Sequence, residues 1–419
     1  MREVGRIVSG GTPSRDAPSL WGGGIPWVTP GELTALPTKE IEKTAETISA
    51  AGLAGSGANL LPVNSLLITS RATLGARAVN TVPMATNQGF KSLVPFDRRF
   101  TDYLYHLTEK VKPDLVRRAS GTTFLELSGS EFGEIVLPWP DVEEATKIAE
   151  VLDTLDAAIR GTEAVVAKLR AMKQGLLHDL LTRGIDANGD LRPAQPQAPH
   201  LYHQTPLGWL PKEWDVMRLG DAAESVVDGP FGSNLKTEHY VQPPGVRVVR
   251  LQNIQNGYFD DTEKAFIGAS HAARLIRNQV VSGDLLIASL GDDGHPVGRA
   301  CLYPVELDPG INKADCFRFR GKSACRNGYA MLFLNGHSAR RQARGFEQGV
   351  TMKRINLGNL RRIKVALPAL PEQIAIEERA TAIEASYSET IRELDKLRLQ
   401  KSGLMDDLLT GRVPVTPLL

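Results

Sequence analysis

Apolar residues recur along 148–180 at alternating steps of four and three: Ile148, Leu152, Leu155, Ile159, Thr162, Val166, Leu169, Lys173, Leu176 and Leu180. A 3.5-residue period held over several heptads predicts a helix packed lengthwise on another helix. The pattern returns 228 residues later, at Ile376, Ala380, Ile383, Tyr387, Thr390, Leu394, Leu397, Lys401, Leu404 and Leu408. Even the polar interruptions coincide, Thr162 with Thr390 and Lys173 with Lys401. Both copies end alike, Gly175-Leu-Leu-His-Asp-Leu-Leu-Thr against Gly403-Leu-Met-Asp-Asp-Leu-Leu-Thr. At about 1.5 Å per residue each seam runs roughly 50 Å, the scale of a spacer rod.

Around the rods the pattern changes to short apolar runs broken by turns. Residues 1–140 read as a mixed α/β domain, with a turn at Gly10-Gly11, an apolar run at Ile25–Val28, a strand at Leu66–Ile68, a helix at Tyr103–Val111 and a turn at Gly121-Thr-Thr123. The first rod occupies 141–184, with Asp141 as its cap and Gly184 as its terminator. A polar, proline-bearing linker without periodicity follows over 185–211. Residues 212–368 repeat the first domain in outline: Val226–Gly229 answers Ile7–Gly10, Val246–Val249 answers Ile25–Val28, Asp284–Ser289 answers Ser65–Ser70, and Gly349–Thr351 answers Gly121–Thr123. The second rod spans 369–412 and a tail 413–419. The expected fold is α+β: two mixed α/β domains and two long helices paired as an antiparallel coiled coil, a pseudo-twofold internal repeat.

Charge is partitioned between these parts. The whole chain is +1, but 206–368 carries +6, while the rods carry −2 and −3. The densest basic run, 340–364, holds eight Lys or Arg against the single acid Glu347. Such density suits an anionic partner, and a solvated face is the plain alternative. Cys301, Cys316 and Cys325 lack CxxC spacing and read as free thiols of a reducing compartment. No eighteen-residue apolar run or signal-peptide core is present, so a cytoplasmic location without a membrane span is expected.

No catalytic site emerges from the residues. The chain has no GxxxxGK[ST], no GxGxxG and no HExxH, and no carboxylate spacing marks a nuclease. Asp292, Asp293 and His295 fall together in one glycine-flanked stretch and read as a polar loop, with a metal or acid–base site as the alternative. No catalytic or metal-ligating residue is assigned.

The repeated Leu-Pro, rod and Gly-Leu-Leu-x-Asp-Leu-Leu-Thr block strongly resembles the specificity subunit of type I restriction–modification systems, as do Val226–Ser233 and Val248–Ile254. The resemblance covers essentially the whole chain. It implies that 1–140 and 212–368 are target-recognition domains, each reading one half of a split double-stranded DNA sequence. The rods would set the gap and dock two methyltransferase subunits. It implies no cofactor on this chain. S-adenosylmethionine would belong to the methyltransferase subunits, and ATP with magnesium to restriction motor–nuclease subunits. Two features depart from the family pattern. The first domain has no lead-in like Trp209–Arg218, and the first rod opens with Asp141-Val-Glu-Glu where the second keeps Pro371-Glu372-Gln373.

On that reading, polar loop residues are the candidates for DNA contact. They are Ser70, Arg71, Thr73, Arg77, Asn87, Gln88 and Lys91 in the first domain, and Asn234, Arg250, Asn253, Arg299, Asn312, Lys313, Lys353 and Arg354 in the second. Each has a plain alternative, such as an Asn that satisfies a turn or an Arg that pairs with a local acid. Two other functions stay open: a two-headed protein-binding scaffold, and a nuclease or methyltransferase with an unrecognised site.

Overall fold

The computed structural model describes residues 1–71, 73–121 and 125–415. The expected turn residues Thr122 and Thr123, and 416–419 of the tail, lie outside the described residues. Two compact units form, Met1–Ala164 with Ile391–Leu419, and Val165–Thr390. Both divisions fall within long helices, Val142–Thr182 and Leu370–Leu408. Each unit therefore contains one mixed domain and a segment of each helix.

In the first unit the main sheet orders Gly5–Ser9, Lys91–Pro95, Leu66–Ile68, Arg77–Asn80 and Glu40–Ile41. Leu66, Leu67 and Ile68 are all buried, as an unbroken apolar run in a central strand requires. A second sheet sets Trp21–Val28 antiparallel to Glu46–Ile48 and parallel to Ala85–Thr86. The expected helix is present at Thr101–Lys110 and packs Tyr103, Leu104 and Leu107 on Ile148 and Leu152 of the long helix.

The second unit repeats this wiring. Its main sheet orders Ala223–Val227, Cys316–Gly321, Leu285–Ala288 and Ala300–Leu302. Val246–Val249 runs antiparallel to Phe266–Ile267 and parallel to Gly310–Asn312. The internal repeat read from short sequence echoes is thus a repeat of hydrogen-bonded topology. The segment 185–211, expected as a polar linker without periodicity, also contains regular structure. Tyr202–Thr205 and Gly208–Pro211 form a hairpin. Thr205 Oγ1 closes its turn by accepting from Leu207 N–H, and Gly208 takes the left-handed φ of 107° that the turn demands. Its Tyr202 and Leu210 are buried, an alternation too short to register as a period.

The long helices follow the seam. Every nominated seam position is buried or half-buried, while most positions between 157 and 175 off the seam are exposed. In the first unit Lys401 Nζ lies 2.5 Å from Asp156 Oδ1 and Arg398 Nη2 lies 2.8 Å from Glu163 Oε1. One helix number rises as the other falls, so these segments are antiparallel. In the second unit Lys173 pairs with Glu384, and Leu176 and Leu180 share a core with Ile376, again antiparallel. Asp141 Oδ1 accepts from Glu144 N–H at 2.8 Å, the expected cap. Gly184 takes the left-handed φ of 68° that ends the first helix. Glu372 Oε1 then accepts from Ile185 N–H at 2.8 Å and pairs with Arg192 at 2.5 Å.

Candidate nucleic-acid interface

Each mixed domain gathers its loops around one buried serine at the end of a central strand. Ser70 N–H donates to Gly89 O at 2.7 Å, and Ser70 O accepts from Leu127 N–H at 3.0 Å. In the second domain Ser289 N–H donates to Asp315 O at 2.9 Å, and Ser289 O accepts from Ile355 N–H at 2.9 Å. The same two loops are therefore stitched to the same strand end in both domains. Below them sits a tight glycine turn. Gly10 packs on the Asn87 carbonyl and Gly229 on the Lys313 carbonyl, with no room for a Cβ in either place.

Around Ser70 the structure brings together Arg71, Thr73 and Lys91. Arg71 Nη2 lies 2.9 Å from Glu126 Oε1. Burial holds the Lys91 ammonium below its usual range, with Glu126 opposing and Arg71 adding to the shift. Thr73 N–H donates to Arg71 O at 2.6 Å and fixes the loop. Asn87 Oδ1 accepts from Gly89 N–H at 2.8 Å, so it satisfies a turn, while Gln88 is exposed and contacts Thr12. Arg77 stands apart. It donates to Tyr105 O, pairs with Glu109 and lies on the Tyr105 ring, with a side chain 10% exposed.

Around Ser289 the structure gathers Lys313, Lys353 and Arg354. Arg354 Nη2 lies 2.7 Å from Asp315 Oδ1, and its guanidinium sits 5.3 Å from the Phe231 ring centroid. Lys353 Nζ lies 2.9 Å from Asp293 Oδ1, and Lys313 Nζ donates to Tyr240 Oη at 3.0 Å. Burial pushes the Asp228 carboxyl up to about 6, the charge of Asp315 adding to it. Asn234 is exposed on the following turn.

Four candidates of the second domain have polar atoms engaged within the fold. Asn253 is buried and ties Arg250 N–H to the carbonyls of Asp260 and Glu263. Arg299 donates to Ile254, Leu290 and Leu251 carbonyls from a buried position. Asn312 is buried and donates to Cys316 O at 2.6 Å. Arg250 pairs with Glu263 at 3.3 Å. Ser70 is likewise interior and Arg77 nearly so, so their side chains present nothing to a groove in this structure. The basic run 340–364 also divides. Arg340 is drawn inward to Val297 O, Arg361 donates to Val226 O and Arg362 lies on Phe346, while Arg341 and Arg344 stay exposed.

Asp292 Oδ1 accepts from the N–H groups of Gly294 and His295, so that stretch is a self-satisfied polar turn. A second titratable set lies where the first domain meets the helices. His106, Asp153 and Asp156 offer ligand atoms within 4.8 Å of one another. Lys39 and Lys401, each 2.5 Å from one of these carboxylates, already balance their charge. Sequence reasoning missed Phe231, Asp315, Glu126 and Ser289. Ser289 carried a signal as the counterpart of Ser70 in the repeat, and Phe231 lay within the Val226–Ser233 stretch.

Each unit thus holds one copy of a duplicated mixed domain, with a charged loop cluster and antiparallel helix segments packed within that unit. The pattern of the type I restriction modification DNA specificity domain matches residues 1–170 and 211–396, and the chain belongs to that family. It is 30% identical over 262 residues to the type I restriction enzyme MjaIX specificity subunit of Methanocaldococcus jannaschii, a match covering 61% of this chain and 57% of that relative. The chain thus spans little more than half the length of that relative. The type I restriction–modification S subunit from M. genitalium has the same fold, with a TM-score of 0.58 and 13% identity over 97% of this chain and 94% of that one. A chain solved in work on complex assembly and conformational transition of the type I R-M system aligns with a TM-score of 0.55 and 16% identity, over 97% and 96%.

Proposed function

We propose that this chain is the non-catalytic specificity subunit of a type I restriction–modification complex. Each mixed domain, 1–140 and 212–368, reads one half of a split duplex sequence. The helices fix the number of base pairs between the halves and dock two methyltransferase subunits, which bring S-adenosylmethionine. Restriction motor subunits, with ATP and magnesium, join the same complex. The observation that carries this reading is the duplicated loop cluster around Ser70 and Ser289, in a chain of the DNA specificity family. Exposed Val165, Met172 and Leu399 on the helices support a docking role, since large apolar side chains in water mark contact surfaces. Among the described residues no helix is long and apolar enough to cross a membrane.

The test is to co-express the chain with its methyltransferase and map adenine methylation across a genome. A two-part motif with a fixed gap is expected. Methylation at a continuous motif, or none that depends on this chain, overturns the reading.

A further inference from the structure

We propose that Arg71 and Arg354 are the base-reading arginines, one in each mixed domain, each held by a carboxylate and each selecting a guanine. The inference rests on the DNA-reading function above and names the residue and base through which each half is read.

The first observation is what the other nominated arginines do. Arg77, Arg250 and Arg299 have side chains that are turned inward or tied to local acids, and Arg299 is only 4% exposed. Arg71 and Arg354 differ, with side chains 42% and 45% exposed. Both are nonetheless fixed, through Nη2 to Glu126 Oε1 at 2.9 Å and to Asp315 Oδ1 at 2.7 Å. Nη2 of each guanidinium is engaged by the acid. The Nε of Arg71 is buried without a partner among the described residues, so the exposed part of that side chain is the Nη end of the fork.

The second observation is position. Arg71 and Glu126 form a bridge next to Ser70. Leu290 and Arg354 are the paired residues next to Ser289. The hydrogen bonds of the two serines make these the same place in two copies of one fold. The arginine comes from one loop in the first domain and from the facing loop in the second. The acid is supplied from a different residue each time. Two sequences that differ at every one of these positions still present one acid-held arginine at the same spot.

Chemistry then separates base from phosphate. A phosphate is drawn by net charge, and a carboxylate beside an arginine cancels much of it. A base edge is recognised by donors in a fixed geometry, which the same carboxylate improves. Guanine offers two acceptors, O6 and N7, on its major-groove edge, and a guanidinium fork matches them. In the second domain the Phe231 ring at 5.3 Å further restricts the fork. Lys353 is also paired with an acid, Asp293 at 2.9 Å, but its ammonium lacks the planar fork that matches the guanine edge.

The experiment uses the full chain co-expressed with its methyltransferase, as wild type and as Arg71→Ala, Arg354→Ala and Arg354→Lys. Methylation is mapped genome-wide, and affinity is measured on the matched duplex and on duplexes with each guanine replaced. Arg354→Ala should relax one guanine in one half of the motif, cutting discrimination there by about 10- to 100-fold. Arg71→Ala should do the same in the other half. In each variant the untouched half reports folding and assembly. Arg354→Lys keeps the charge without the fork and should also lose the guanine. An unchanged motif with affinity falling equally on all duplexes, or a half-motif without guanine in the wild type, overturns the proposal. Absence of any two-part motif in the wild type instead defeats the function on which it rests.

Discussion

Lys401 Nζ lies 2.5 Å from Asp156 Oδ1, and the same contact recurs between Lys173 and Glu384, the residues 228 positions away from Asp156 and Lys401 with the partners exchanged. Residue and partner swap helices between the two units, which is how a duplicated antiparallel pair must behave. A polar residue at a seam position costs stability and fixes register. These lysines are two of the polar interruptions in the apolar period, and each meets its acid in one alignment of the helices. The Lys401–Asp156 side chains are 20% and 19% exposed, against 28% and 50% for Lys173–Glu384. A double-mutant cycle in urea should therefore give a coupling of about 1–2 kcal/mol at 156/401 and about 0.5 kcal/mol at 173/384. Equal couplings would contradict the burial argument.

Asp228 makes stability depend on pH in a definite direction. Its carboxyl titrates near 6 in the fold and near 3.8 when unfolded, because it is partly buried beside Asp315. The folded state thus holds a proton that the unfolded state has lost between those values, and stability falls as pH rises through that window. Above about pH 6 the penalty is complete. Asp228→Asn removes it while its side-chain oxygen still accepts from Gly229 N–H, a bond of 2.8 Å in the wild type. Allowing for solvent access, the variant should gain about 1–2 kcal/mol at pH 7 and close to nothing at pH 4. Melting curves at the two pH values measure this, and a gain that is larger at pH 4 would contradict it.

Two glycines should respond in opposite senses to the same substitution. A Cβ on Gly229 would lie 1.8 Å from Lys313 O, so Gly229→Ala must push apart the loop junction and should cost about 2–3 kcal/mol. Gly161 sits mid-helix with nothing within 4 Å of its would-be Cβ. Gly161→Ala should stabilise by about 0.5–1 kcal/mol through helix propensity. Denaturant titration of both variants is the measurement.

The helices were legible because a long period averages out local exceptions. Thirty residues of 3.5 spacing outweigh Thr162 and Lys173, and the structure leaves those positions half-buried with the rest. The mixed domains were legible only in outline. Their strands are as short as Ala85–Thr86, and the partners that define them lie far off in sequence, as when Val28 meets Thr86. The site was the least legible part. Asn312 and Arg299 have the residue types of base readers, yet each spends its donors on nearby carbonyls. Asp315 instead adopts a left-handed φ of 69° and faces Arg354, a conformation that no local pattern announces.

The seam itself offers the sharpest contrast in stability. Leu152 is fully buried in the cluster that joins Leu104 and Leu107 of the first domain to Leu408 of the second long helix. Leu152→Ala would leave a cavity where domain and helices meet and should cost about 2–5 kcal/mol. Leu399, on the outer face of the second helix, is 74% exposed, so Leu399→Ala should change stability by less than about 0.5 kcal/mol. If Leu399 serves a methyltransferase subunit, the same variant should instead weaken co-purification of that subunit. Leu169→Asp, at a half-buried seam position, should destabilise the second unit by placing a charge between paired helices. A full-length chain that tolerates Leu169→Asp as well as Leu399→Ala would mean that the apolar stripe is not what holds these helices together.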